Sequence, residues 1–249
     1  MDQVILVHKS TFTDYTKMYA VSESKNVFGV KKPKQKWKVV NITGDAIYFP
    51  PTLANIDGDI NKEIITGTRN GIIYAYDYDG GQPAIKWQYN LEPRFDGLNY
   101  RVHFNGGSAA ADLDLDGDVE VIVVDVVDGD ANWPGKVYVL DGNTGVNQTS
   151  YIVGNGGAYA SVSVENIDDD DYPEIIVPTQ YGIKVLDYNK ATNKLTEKCS
   201  NSHAYLWGSA VISDVDKDND YEIVYVTDND PCNAGKTCEN KMHAVNPLT

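Results

Sequence analysis

Four acidic segments recur along the chain and align without gaps. They are Asn55-Ile-Asp57-Gly-Asp59-Ile-Asn61-Lys-Glu63, Asp112-Leu-Asp114-Leu-Asp116-Gly-Asp118-Val-Glu120, Asn166-Ile-Asp168-Asp-Asp170-Asp-Tyr172-Pro-Glu174 and Asp214-Val-Asp216-Lys-Asp218-Asn-Asp220-Tyr-Glu222. Their starts lie 57, 54 and 48 residues apart, and a β-branched run follows each. Self-similarity at such a period marks a repeat architecture, in which each unit buries its apolar surface against the next.

The rest of each unit repeats as well. After the acidic loop comes an apolar stretch ending at an acidic turn, at residues 71–77, 135–141 and 182–187. A third stretch follows, as in Ala84-Ile-Lys-Trp87-Gln-Tyr89, and small apolar residues such as 108–111 and 158–164 precede the loops. Short β-branched and aromatic runs punctuated by Gly, Asn and Asp read as strands. No segment carries the 3.6-residue apolar period of a helix. Four strands in roughly 50 residues form one blade of a β-propeller. The prediction is one all-β propeller domain, or a fragment of one, spanning 1–249. It divides into a partial blade at 1–41, full blades at 42–91, 92–154 and 155–203, and a partial blade at 204–249.

At both ends the template is incomplete. Residues 3–7 match the strand after an acidic loop, 17–21 the next and 35–39 the last, whereas 241–245 match a third strand. One end lacks a first strand and the other a fourth, so the two do not complement each other. The expectation is a piece of a longer propeller, or one completed by a neighbouring chain, because open sheet edges invite pairing.

The loops have a definite chemistry. Oxygen donors at positions 1, 3 and 5, a backbone carbonyl at 7 and a carboxylate at 9 wrap around one hard cation. Calcium takes six to eight oxygens at about 2.3–2.6 Å and tolerates irregular geometry, whereas magnesium demands an octahedron. No His or Cys occurs in the loops, which argues against zinc and copper. An EF-hand places its last acid at position 12 between helices, so it fits neither the spacing nor the strands. Plain acidic turns are the bland alternative, and four aligned copies speak against them. Asp112 and Asp214 lead loops with four carboxylates at positions 1, 3, 5 and 9, while Asn55 and Asn166 lead loops with three plus an amide and should bind more weakly. Position 6 favours a left-handed backbone, which suits Gly117, Asn219 and Asp171 but not Ile60. Three to four calcium ions are expected.

The loop-plus-strand repeat resembles the FG-GAP/VCBS family, to which the N-terminal propeller of integrin α subunits belongs. The resemblance spans nearly the whole chain; Asn105-Gly-Gly-Ser-Ala109 and Trp207-Gly-Ser-Ala210 are the nearest echoes of the FG and GAP signatures. It implies calcium between the first and second strands of a blade, stabilising hairpins rather than performing chemistry. It also implies roles in adhesion, carbohydrate recognition or surface display.

Composition narrows the partners. With 21 basic against 36 acidic residues the net charge is −15, a field that repels nucleic acid and anionic membranes. No apolar run reaches the length of a membrane span, and the first ten residues carry no secretory pattern. Cys232 and Cys238 bracket a short polar loop that a disulfide would close, as in an oxidising compartment, whereas Cys199 has no evident partner. Calcium at millimolar supply points to an extracellular or cell-surface setting.

Long loops of variable length fall at the ends of strands opposite the acidic loops, where ligands commonly bind. They contain Arg94, Tyr100, Arg101, His103 and Trp133, the candidate contacts for a protein or glycan ligand. Trp37 and Trp87 recur at one blade position and are expected to pack between blades. Three classes follow: a calcium-stabilised binding or adhesion propeller, which the residues favour; a polysaccharide lyase on a calcium-binding propeller, using Arg94 or Arg101 with His103; and a quinone-dependent dehydrogenase propeller, suggested by residues 137–145.

Overall fold

The computed structural model describes residues 3–9, 15–25, 31–35, 40–43, 50–78, 81–91, 102–103, 106–127, 134–155, 157–158, 160–168, 170–202, 206, 208–227 and 241–247. Among these the chain is all β, and no helix is long and apolar enough to cross a membrane. The first sheet holds β1 (Gln3–Lys9), β2 (Tyr15–Lys25), β3 (Lys31–Gln35) and β4 (Val40–Thr43). The long β2 pairs β1 along one edge and both short strands along the other. The last strand expected at 35–39 is thus represented by β3 and β4 on either side of it, and residues 36–39, with Trp37, lie outside the described residues.

Three four-stranded antiparallel sheets follow. The first runs β5 (Thr52–Ala54), β6 (Glu63–Gly67), β7 (Ile72–Asp77) and β8 (Ala84–Asn90). After β9 (Val102–His103), the second contains β10 (Ala109–Ala111) and β11 (Glu120–Val124), then β12 (Val126–Val127) intervenes before β13 (Pro134–Asp141) and β14 (Asn147–Asn155). The short strands β9 and β12 pair antiparallel, Val126 opposite His103 and Val127 opposite Val102. The third sheet runs β15 (Ser163–Glu165), β16 (Glu174–Thr179), β17 (Gly182–Asn189) and β18 (Lys194–Ser202). A last sheet has three strands, β19 (Val211–Ser213), β20 (Glu222–Thr227) and β21 (Lys241–Val245).

These sheets are the blades of a β-propeller. Their first strands touch in succession, β5 to β10, β10 to β15 and β15 to β19, as strands around a common axis must. Small hydroxyl residues join them: Ser108 Oγ donates to Thr52 Oγ1 at 2.8 Å, Gly107 N–H to Ser161 Oγ at 3.1 Å, and Ser163 Oγ to the Ala210 carbonyl at 3.0 Å. Each middle blade is buried on both faces, which is why its second strand reads as an unbroken apolar run. Val121 and Val123 pack on the preceding blade with Ile65 and Ile73, whereas Ile122 and Val124 pack on the following one with Ile175 and Val177. Ile176 turns to a third core with Ile223 and Tyr225. Trp87 fills the first of these cores and donates Nε1–H to the Gly142 carbonyl of the next blade at 2.7 Å. The expected packing role of Trp87 is therefore observed.

Because the strands are antiparallel, the connections from first to second strand open at one end of each blade. Those from second to third strand, and from blade to blade, open at the other.

Candidate metal centre

Each acidic segment is the hairpin between the first and second strands of a blade. Its position-9 glutamate is the first residue of the second strand, where the pleat turns the side chain inward. Glu63, Glu120, Glu174 and Glu222 are all buried. Each accepts the backbone N–H of position 2, from Ile56, Leu113, Ile167 and Val215 at 2.8, 2.9, 2.9 and 2.9 Å. The apolar position-2 side chains of the first three enter the core beneath the loop. Position 5 likewise accepts the N–H of position 7 in all four, as Asp116 does from Asp118 at 3.0 Å and Asp218 from Asp220 at 2.9 Å.

The four hairpins divide into two conformations. In the Asp-led loops, positions 4 and 6 are left-handed: Leu115 (φ 56°) with Gly117 (φ 97°), and Lys217 (φ 66°) with Asn219 (φ 77°). The leading aspartate then accepts the position-6 N–H, from Gly117 at 2.9 Å and from Asn219 at 3.2 Å. In the Asn-led loops neither Ile60 nor Asp171 is left-handed. There the leading amide donates to the position-5 carbonyl, Asn55 to Asp59 and Asn166 to Asp170, closing the loop without a left-handed position 6, although Gly58 at position 4 is left-handed (φ 78°). The expectation that position 6 suits Asp171 by left-handedness is thus corrected, and Ile60 sits comfortably because its loop does not ask for that φ.

Carboxylates converge in every hairpin. Oxygens of Asp57, Asp59 and Glu63, of Asp112, Asp114 and Glu120, of Asp168, Asp170 and Glu174, and of Asp214, Asp216 and Asp218 lie within 4.8 Å of one another. Two oxygens on one ion at about 2.3–2.6 Å stand at most about 5.2 Å apart, so this spacing fits a shared hard cation. Burial pushes the carboxyls of Glu120 and Glu174 up to about 7, with the neighbouring aspartates adding to it. A bound cation reverses that penalty by favouring the ionised form. Asp114 Oδ1 is buried without a hydrogen bond, with Lys190 Nζ standing off at 3.4 Å. A buried carboxylate oxygen of this kind is costly unless a cation meets it, and here the exposed Lys190 ammonium is the cation in reach.

Besides Lys190, two outer-strand lysines that the motif did not reveal also enter these sites. Lys86 Nζ donates to Asp57 Oδ2 at 2.9 Å, and that bond holds the Asp57 carboxyl below its usual range. Lys198 contacts Asp168 and lies 3.2 Å from Glu174 Oε1 and 3.3 Å from Asp187 Oδ1. Both were visible in sequence only as polar residues in an outer strand.

The candidate ligand-face residues belong to segments at the opposite end of the blades in sequence order. Arg94, Tyr100, Arg101 and Trp133 lie outside the described residues, as do Cys232 and Cys238, and His103 is placed by its backbone alone in β9. At this end Asp125 is fully buried, accepting the Lys136 N–H at 2.7 Å and the Tyr138 hydroxyl at 2.9 Å. Cys199 is a free, partly buried thiol, raised above its ordinary range by burial.

No family model matches the sequence, and no curated protein matches it. Solved structures do share the fold. The rhamnogalacturonan lyase YesW is 17% identical, with 87% of this chain and 49% of that one covered and a TM-score of 0.50. The quinohemoprotein alcohol dehydrogenase from Comamonas testosteroni is 12% identical over 86% of this chain and 38% of that one, at a TM-score of 0.54. BBS1N, solved in complex with ARL6DN, is 9% identical over 100% of this chain and 66% of that one, at 0.56. The chain spans about half the length of the rhamnogalacturonan lyases it matches. At these identities the likeness is one of fold.

Proposed function

We propose that this chain is a calcium-stabilised β-propeller of the FG-GAP/VCBS kind, working outside the cell as a binding or adhesion module. The observation that carries the reading is the recurrence of one hairpin in four blades, each with a buried glutamate bonded to position 2 and a carboxylate cluster at the mouth. The donor set is oxygen alone, which suits calcium over softer metals. In this reading the ions hold the hairpins, and strands from a longer chain or a neighbour complete the ring. A protein or glycan binds at the opposite end, against Arg94, Tyr100, Arg101, His103 and Trp133. A glycan and protein array probed with the wild type and with alanine variants at Arg94, Tyr100, Arg101 and Trp133 tests the ligand face. Loss of a captured ligand in the variants supports it, and undiminished capture removes it.

The likeness to rhamnogalacturonan lyases favours a second reading, a polysaccharide lyase with Arg94 or Arg101 and His103 beside the substrate. Incubation with rhamnogalacturonan separates the two, since a binding module retains the polymer intact and a lyase shortens it.

A further inference from the structure

The outer strand of each complete blade contains a β-bulge at the same place, and its extra residue is Lys86, Gln148 or Lys198. The register shows this directly. Ala75 and Tyr76 pair with Trp87 and Ile85, Val139 and Leu140 with Thr149 and Asn147, and Val185 and Leu186 with Cys199 and Glu197. A bulge leaves one residue unpaired and re-aims its side chain. In two blades the re-aimed side chain is a lysine that meets the acidic hairpin of its own blade, and these are the two Asn-led hairpins. In the Asp112 blade the equivalent residue is Gln148, whose Oε1 is buried without a hydrogen bond.

We propose that Lys86 and Lys198 are built-in cations, so that metal binding is confined to the two Asp-led hairpins. The proposal rests on the metal-binding reading above and specifies it. An ammonium and a metal ion compete for the same carboxylates, and like charges repel inside one small cluster. Lys86 already bonds Asp57, and Lys198 lies among Asp168, Glu174 and Asp187. Their side chains are only 17% and 24% exposed. The loop backbones agree: the Asn-led pair close on their own amide, while the Asp-led pair adopt the left-handed twist at position 6. Lys190 is a different case. It reaches Asp114 and Asp116 from the neighbouring blade's turn at 3.4 Å each, and its side chain is 49% exposed, free to swing aside for an ion.

The test is a calorimetric calcium titration of the chelator-stripped full chain, with melting curves to show that each variant is folded. Wild type is expected to bind two ions. Lys86→Gln and Lys198→Gln are each expected to gain one, weaker than the original pair because asparagine supplies a neutral oxygen. Gln148→Lys is expected to lose one. Four ions on the wild type, or an unchanged count in both lysine variants, overturns the proposal while leaving the metal reading intact. No ion on any protein overturns both.

Discussion

Trp87 shows how one side chain joins two blades. It is buried against the next blade, its indole N–H meets the Gly142 carbonyl, and Gly145 (φ 73°) lies so close that a methyl there would stand 2.6 Å from Trp87 Cδ2. Trp87→Ala is expected to cost about 3–5 kcal/mol, and Trp87→Phe nearer 1 kcal/mol above the packing change, since only the hydrogen bond goes. Urea denaturation of both variants measures the difference. Glu197 gives a pH-dependent link. It accepts from Tyr151 of the neighbouring blade at 2.9 Å and from Lys184 at 2.5 Å, and Lys184 first of all holds its carboxyl down to about 2. A depressed carboxylate stabilises the fold above its unfolded value of 4.5, and that contribution fades as pH falls toward about 2. Because the site is partly exposed, about 1 kcal/mol is the scale to expect. Melts of wild type and Glu197→Gln are expected to differ at pH 6 and converge near pH 2; a constant gap would contradict this.

At the scale of the hairpin, the position-9 glutamate has two separable tasks. Glu120→Gln keeps an acceptor for the Leu113 N–H but removes a charge, so it is expected to weaken metal binding tenfold or more with little change in metal-free stability. Glu120→Ala also strands a buried N–H and is expected to cost about 1–3 kcal/mol without any metal. Paired calcium titrations and metal-free melts check both. Much of this element was legible in sequence. Alternating acids ending in Glu63, Glu120, Glu174 and Glu222 before β-branched runs located all four hairpins and their strands. The bulge was not legible: Lys86 beside Trp87 and Lys198 beside Cys199 look like ordinary outer-strand residues until the register shows each one unpaired. The left-handed position 6 was legible at Gly117 and Asn219 but not at Asp171, because the leading Asn or Asp sets which backbone group is bonded.

Across the whole molecule, four like-charged clusters at one end of the blades set the balance of a chain with net charge −15. Lysines from inside the fold neutralise part of it, and in the proposed function ions from outside offset more. Specific ions differ from general screening: added sodium chloride shortens the range of repulsion but does not fill a buried carboxylate cage. Chelation is therefore expected to lower Tm, with salt failing to restore it. At a hundredfold excess over Kd each filled site adds about 2.7 kcal/mol, roughly 5 kcal/mol for two. For a domain of this size that corresponds to a rise of roughly 10–20 °C. The most direct measurement is the melting temperature of the chelator-stripped protein at each step of a calorimetric calcium titration. The expected result is saturable binding with Tm rising as the sites fill and continuing to climb with the logarithm of free calcium beyond saturation; a melt indifferent to calcium would contradict it.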